Sequence, residues 1–339
     1  MTTIADVARR AGVGAATVSR VLNGSPGVAA PTRARVLAAV TELGYQRNVA
    51  ARALSTGRTR TLGVIAPFLT APSVIERLRG VSRIFADSGY QLVVFDVERP
   101  GQVAGLTVAG WLDGLLFISL RPPDAVVDRL GARGVPVVLV DGEHPRVPGV
   151  SIDDVAGGRL AAEHLLGLGH RRIAFVGDDE DTEFGFTSSA RRRIGAEAAC
   201  EEAGVQLVVR RNRHGRERAR LVAAELLAMD EPPTAIFAAS DFQALGVLDA
   251  ADAAGIDVPG DLSVVGFDDV DVARYVGLST VAQPLERSGM IGARLLLRAL
   301  RGASVDAERL DLRLVARATT APASTRSARR GPQQSARMP

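Results

Sequence analysis

Two periodicities divide this chain. Over the first 45 residues apolar positions recur at helical spacing, as Ile4, Val7, Ala8 and Ala11, then Val18, Val21 and Leu22, then Val36, Leu37, Val40 and Leu43. The first set predicts a helix opened by Thr3, which stands three residues before Asp6 as in a capping box, and closed by Gly12. After the turn Gly12-Val13-Gly14, a second helix over residues 15–22 faces the first through Val18, Val21 and Leu22 and leaves Ala15, Ala16, Ser19 and Arg20 outward. A third, over residues 32–43, starts behind Pro31, ends at Gly44 and packs on both. From residue 62 the pattern changes to apolar runs, LGVIAPFL, YQLVVFDV, GLLFISL, PVVLVD, IAFVGD, TAIFAAS and LSVVGFDD, with helical stretches such as IERLRGVSRIFADSG and GRLAAEHLLGLG between them. Short apolar runs alternating with helices predict parallel strands covered on both faces. The fold class read from this is α/β: an all-α head with helix-turn-helix spacing, followed by two doubly wound parallel-sheet lobes.

Composition and charge sharpen that division. At 339 residues and 47% hydrophobic the chain can bury a large core in two or three domains. Its net charge of +3 is unevenly placed: residues 1–60 hold nine arginines against Asp6 and Glu42, a balance of +7, which leaves −4 for the rest. A basic head on an acidic body is the footprint of a phosphate-binding module attached to something that does not bind phosphate. The N-terminal stretch MTTIADVARR has an acid and no apolar core, so neither a secretory signal nor a membrane span is expected, and the expected location is the cytoplasm. Cys200, the one cysteine, excludes an internal disulfide.

Several chemistries find no support. The stretch 12–16, GVGAA, is not a phosphate loop, because no strand precedes it and Thr17 stands where a third glycine is needed. His144, His164, His170 and His214 lack metal-ligand spacing, and there is no G-x-S-x-G elbow, so we expect no metal, no cofactor and no enzyme. The acidic run 178–183 reads as a solvated loop. Residues 322–339 are rich in Ser, Arg and Pro and predict a disordered tail.

The runs TIADVARRAGVGAATVSRVLNGSPGV, TRARVLAAVTELGYQRN and AARALSTGRTRTLGVI resemble, in order and without a break, the head of the LacI family of bacterial transcription regulators. Two positions depart from the family pattern. Gly14 stands where Ser is usual, which removes a side-chain helix cap, and Arg47 stands where Pro usually precedes Asn48, which loosens the entry to the next helix. The resemblance implies a sequence-specific repressor whose second helix enters the major groove of double-stranded operator DNA. Arg20 can then reach guanine O6 and N7 together, whereas Ala15 and Ala16 offer only methyl contact. Thr17 and Ser19 fall on phosphates. Thr3, Asn23, Tyr45, Asn48, Ala51 and Arg52 complete the expected DNA contacts. Residues 48–56 would form the family's hinge helix, with Leu54 as the wedge that opens the minor groove.

The body resembles the periplasmic-sugar-binding-protein-like core of the same family, with GHRRIAFVG and VVGFDD as matching segments. This implies a head over 1–46, a hinge and linker over 47–60, and a core over 61–321. The core lobes would comprise about 61–152 plus 285–314, and 153–284 plus 315–321, with crossings near 151–154, near 282–284 and near Val315. Ligands of such folds sit at the carboxyl ends of strands, so Phe68, Ser119, Asp141, Asp178, Ser240, Asp241 and Asp268 are candidates by position. The resemblance adds Arg192, matching the arginine that grips a ligand hydroxyl or carboxylate, and assigns Asp268 as acceptor for a ligand hydroxyl or ring nitrogen. Where the family often has Asn-Pro and two aromatics, this chain has Ala71-Pro72-Ser73-Val74, so Ser73 is a candidate and Phe184 with Phe186 would supply the missing apolar walls. His214 falls where the family stacks an aromatic. Paired carboxylates and aromatic faces suit a sugar or sugar derivative as the small-molecule effector. Arg191, Arg192 and Arg193 leave an acidic or phosphorylated one open. A homodimer or higher homo-oligomer on a near-palindromic operator follows from the family. A transport-type solute-binding protein would share the core but have no use for the basic head.

Overall fold

The computed structural model describes residues 2–22, 24–45, 58–105, 111–179 and 184–324. The chain divides into two units, residues 1–59 and 60–339. The expected contacts Asn23, Asn48, Ala51, Arg52 and Leu54, the hinge segment 48–56 and residues 325–339 lie outside the described residues.

In the first unit, helix α1 (Ile4–Ala11) has its capping box complete: the Asp6 N–H donates to Thr3 Oγ1 at 3.3 Å and the Thr3 N–H donates to Asp6 Oδ2 at 2.9 Å. Gly12, at φ 64°, ends it in the left-handed conformation that glycine adopts without strain. Helix α2 (Ala15–Leu22) follows, then α3 (Ala30–Glu42). The third helix begins two residues earlier than its apolar pattern implies, with Pro31 inside its first turn, where a missing N–H costs nothing. Val7, Ala8, Ala11, Val18, Val21, Val36 and Ala39 form the core. Leu37, read as a packing residue, is 48% exposed, because the neighbouring stripe through Val36, Ala39 and Val40 takes the inner face.

The second unit holds two six-stranded sheets. Lobe 1 is built from β1 (Thr61–Pro67), α4 (Pro72–Phe85), β2 (Gln91–Val97), α5 (Pro100–Gly105), β3 (Gly114–Ile118), α6 (Asp124–Gly131), β4 (Val137–Val140) and β5 (Gly149–Ile152). The chain then crosses to lobe 2, with α7 (Asp154–Gly167), β6 (Ile173–Asp178), α8 (Ser188–Glu202), β7 (Leu207–Asn212), α9 (Arg216–Leu227), β8 (Ala235–Ala238), α10 (Asp241–Ala253), β9 (Ser263–Asp268), α11 (Asp271–Tyr275) and β10 (Ser279–Ala282). Residues 283–284 return it to lobe 1 for α12 (Leu285–Ala299) and β11 (Glu308–Leu310), and β12 (Arg313–Val315) closes lobe 2. The third crossing therefore falls at 311–312, slightly ahead of Val315, which is itself the last residue of β12. The strand orders are β11-β5-β4-β3-β1-β2 and β12-β10-β9-β8-β6-β7, the same winding in each lobe. All pairs are parallel except β10 with β12. The central strands β1 and β3 are buried along their whole length, which is why they read as continuous apolar runs. Order extends into the start of the expected tail, where the Ala323 N–H donates to the Leu168 carbonyl at 2.8 Å.

The helix after the first strand of each lobe packs on the helix that follows a crossing, α4 on α12 and α8 on α7. Glycines make both contacts possible. A Cβ at Gly80 or Gly289 would overlap the carbonyl oxygen of Glu286 or Arg77, and one at Gly158 or Gly195 would overlap that of Arg192 or Val155. No helix among the described residues is long and apolar enough to cross a membrane.

Candidate functional site

On the head, the cap and the core of α1 hold α2 so that Ala15, Ala16 and Arg20 are exposed, while Thr17 and Ser19 are half-buried. Arg20 lies back along its own helix, its Nε donating to the Ala16 carbonyl at 3.4 Å. Thr3 is engaged in the cap, its hydroxyl donating to Asp6 Oδ2 at 2.7 Å. The hydroxyl and N–H of Thr3 hold the Asp6 carboxyl below the usual aspartate range. Tyr45 is half-buried against the head core.

In the second unit the strand ends carry an unusual backbone. Phe68, Ser119, Asp141 and Asp268 have positive φ, at 50°, 51°, 59° and 121°. Such values are uncommon for residues with a side chain and concentrate where the surrounding structure enforces them. All four are among the positions expected to face a ligand. From them a row of alternating charges runs across the seam between the lobes. Ser119 Oγ donates to Asp141 Oδ2 at 2.8 Å, and the same oxygen pairs with Arg77 Nη2 at 2.8 Å. Arg77 comes from α4, is 1% exposed, and also donates to Gln283 Oε1 at 2.9 Å and to the Ser73 carbonyl at 3.3 Å. Gln283 in turn donates through Nε2 to Asp268 Oδ1 at 2.5 Å. Arg192 Nη1 lies 3.8 Å from that oxygen and donates to the Ala239 carbonyl at 2.6 Å, while its Nε donates to Asp154 Oδ1 at 2.8 Å. The Phe267 ring covers the Arg192 guanidinium at 3.6 Å.

Beside this row a cleft of about 490 Å³ opens between the lobes, lined among others by Ser119, Asp141, Asp154, Phe184 and Arg191. Arg191 pairs with Glu143 across it at 3.2 Å. Phe68 from lobe 1 meets Phe184 edge-on at 5.4 Å, and Phe184 stacks on Phe186 at 5.3 Å. The three rings make an apolar wall that joins the lobes.

At the ends of β6 and β7 in lobe 2, Asp178 accepts from Gln243 Nε2 at 2.9 Å and lies 3.0 Å from the exposed His214, at Nδ1. His214 stacks on Phe242, with ring centroids 6.3 Å apart. Ser240 caps α10, its hydroxyl accepting from the Gln243 N–H at 3.2 Å. Asp241 departs from expectation. It is fully buried, and its two carboxylate oxygens accept from Thr280 Oγ1 at 2.6 Å and from the Val270 N–H at 3.0 Å, so it ties α10 to the ends of β9 and β10 instead of facing the cleft.

Burial governs the electrostatics. It raises the carboxyls of Asp154 and Asp268 despite the attraction of Arg192, and it raises Asp241 well above the aspartate range, with repulsion from Asp268 adding to it. Burial disfavours the charged forms of Arg192 and His214 too, but the neighbouring carboxylates outweigh it and both are raised, Arg192 mainly by Asp154 and His214 by Asp178. A guanidinium beside a carboxylate presents donors and an acceptor side by side, which is what a hydroxyl requires of its partner. Among the described residues no group of three His, Cys, Asp or Glu side chains could hold a metal ion. Arg77, Gln283 and Asp154 belong to this row and were not singled out from sequence. The available signal was Arg77 itself, which occupies an apolar position on α4 in line with Val74, Val81 and Phe85.

Comparison with known proteins agrees with both halves. Residues 3–48 match the bacterial regulatory proteins of the lacI family, and residues 162–320 match the periplasmic binding protein-like domain. The HTH-type transcriptional regulator reg1 of Streptomyces lividans is 37% identical over 322 residues, covering 89% of this chain and 91% of the relative. Among solved structures, the lac repressor dimer bound to operator and the anti-inducer ONPF is 29% identical with a TM-score of 0.82, covering 94% of this chain and 99% of that one. The complex of the transcriptional regulator CelR with cellobiose is 32% identical with a TM-score of 0.67, covering 94% of this chain and all of the other. The fold and the matches thus define a lacI-type head joined to a two-lobed periplasmic-binding-protein-like core. The chain belongs to the LacI family of bacterial transcriptional regulators, and it is a DNA-binding regulator, not an enzyme.

Proposed function

We propose that this regulator is a cytoplasmic repressor that binds a near-palindromic operator as a homodimer and is controlled by a sugar or sugar derivative held between its core lobes. The observation that carries the effector reading is the row Asp141, Arg77, Gln283, Asp268, Arg192 and Asp154 beside a cleft with an aromatic wall. Carboxylates and guanidiniums alternate there within 4 Å of a partner, with the Gln283 amide bridging Arg77 to Asp268, and aromatic faces suit the C–H faces of a sugar ring. Of the candidates, Ser119, Asp141, Asp268, Arg192, Phe68 and Phe184 lie on this row or wall. Ser73 supports it through its carbonyl, and His214 with Ser240 lies at the strand ends of lobe 2, around Asp178 and Gln243. Asp241 is left out of the proposed contacts.

On DNA, Arg20 reads a guanine in each half-site, Ala15 and Ala16 contact thymine methyls, and Thr17 and Ser19 meet phosphates. Thr3, Asn23 and Tyr45 flank that contact, and Asn48, Ala51, Arg52 and Leu54 act in the minor groove at the operator centre. The working boundaries are a head over 1–46, a hinge over 47–60 and a core over 61–321. A gel shift on duplexes selected by the full chain, with and without a panel of mono- and disaccharides, tests this. One sugar is expected to change operator affinity, and at a hundredfold its Kd it should stabilise the core by about 2.7 kcal/mol. A panel in which no sugar changes either quantity would overturn the sugar assignment.

A further inference from the structure

The two lobes hold the same device twice. Arg77 stands three residues before Gly80 on the helix after the first strand of lobe 1, and Arg192 stands three before Gly195 on the helix after the first strand of lobe 2. The backbone carbonyl of each is covered by the glycine of a partner helix, Gly289 over Arg77 and Gly158 over Arg192. Each side chain is buried and pairs with the aspartate at the end of its lobe's fourth strand, Arg77 with Asp141 and Arg192 with Asp268. Each also grips the segment that leads into the very helix packed on its backbone. Arg192 holds Asp154 at the first crossing, and Arg77 holds Gln283 at the second.

We propose that Arg77 is a positioning residue that transmits occupancy of the cleft to the second lobe crossing, as the counterpart of Arg192 in the other lobe. The inference rests on the seam being the effector site, and it adds a residue and a route to that reading. Arg77 links Asp141 in lobe 1 to Gln283, and Gln283 links to Asp268 in lobe 2, so any group that competes for either aspartate must rearrange the crossing between them. The buried Arg77 Nε has no hydrogen-bond partner, so the three contacts made by its other nitrogens fix its place. A buried guanidinium held at one end by a cleft carboxylate and at the other by a crossing residue can exchange this paired arrangement for a displaced one when a ligand takes the carboxylate. Such an element can couple two sites.

The test uses the full-length protein with Arg77→Leu, Gln283→Leu and the double variant, each compared with wild type for affinity to a duplex selected by the wild-type chain. Gln283→Leu leaves the Arg77 to Asp141 pair in place, so it answers even if Arg77→Leu fails to fold. Without sugar, the single variants are expected to shift operator affinity in the same direction by about fivefold or more, with the double variant shifting no further than either. Loss of stability alone does not change the affinity of the folded fraction, which is quantified by active-site titration with the duplex. Singles that shift in opposite directions, a double variant equal to the product of the singles, or a Gln283→Leu protein that binds like wild type would each overturn the proposal. A second arm adds cellobiose or ribose. If neither alters wild-type binding, neither sugar is the effector, while the sugar-free arm still decides the role of Arg77. If one does, its effect should fall about tenfold in both single variants.

Discussion

The head and the core use the same two residue types for opposite ends. Arg20 in the head is exposed and donates to a carbonyl of its own helix, whereas Arg192 in the core is buried among carboxylates and under a ring. Gly14 in the head has nothing within 4 Å of where a side chain would begin, whereas Gly158 lies against the carbonyl of Arg192. A three-helix unit with a small core of Val and Ala keeps its special residues at the surface, where they act on a partner and contribute little to the fold. In the core, the residues that shape the site also hold the lobes together, so function and stability are not separable there.

The comparison can be broken most directly at Arg192. Arg192→Ala removes the guanidinium that pairs with both buried Asp154 and Asp268, and the expected cost is about 3–5 kcal/mol. Trp111, the chain's one tryptophan, lies in the core unit, so urea unfolding followed by its fluorescence reads that unit. A loss below about 1 kcal/mol would show that the buried pairs carry no weight. Arg20→Ala is expected to do the reverse. It should cut discrimination between operator and random duplex by about 10- to 100-fold, while the Trp111 transition stays within about 0.5 kcal/mol of wild type. Equal discrimination by the variant would remove Arg20 from base readout.

The glycines give a smaller and paired effect. Gly158→Ala should destabilise the core by about 1–3 kcal/mol through overlap with the Arg192 backbone. Gly14→Ser supplies a side-chain cap and should stabilise the head by a few tenths of a kcal/mol, read by helical circular dichroism on heating. The finest distinction concerns His214. Its imidazole, raised by Asp178 above the ordinary value of 6.5, contributes stability below that value which is lost as pH rises through the raised one. In Asp178→Asn the hydrogen bond and the opposing charge are gone, so the imidazole should fall from its raised value, a change that NMR titration of the ring resolves.

The head was legible almost to the residue because its helices are amphipathic, capped and short, so that local pattern and packing agree. The buried strands β1, β3, β4, β6, β8 and β9 were legible for a similar reason. Strand β7 was not, since Arg210 and Arg211 face solvent at the edge of the sheet and break the apolar run. Strands β5, β10, β11 and β12 are three or four residues long, and sequence showed three of these regions only as crossings. At the site, the strand-end positions were readable because the end of an apolar run marks them. What chain order cannot convey is the partner of each: Asp241 follows a strand just as Asp141 does, yet Thr280 and the Val270 N–H claim it for the interior. Arg77 finds its meaning only through Gln283, 206 positions away.

The left-handed backbone at Phe68, Ser119 and Asp141 has an evolutionary consequence. For residues with a side chain this conformation costs roughly 1–2 kcal/mol at each position, and glycine or asparagine would lessen it. A lineage that lost its effector would be free to relax these three positions and gain stability by doing so. Selection for robustness alone would therefore blunt the cleft first and leave the sheets beneath it untouched.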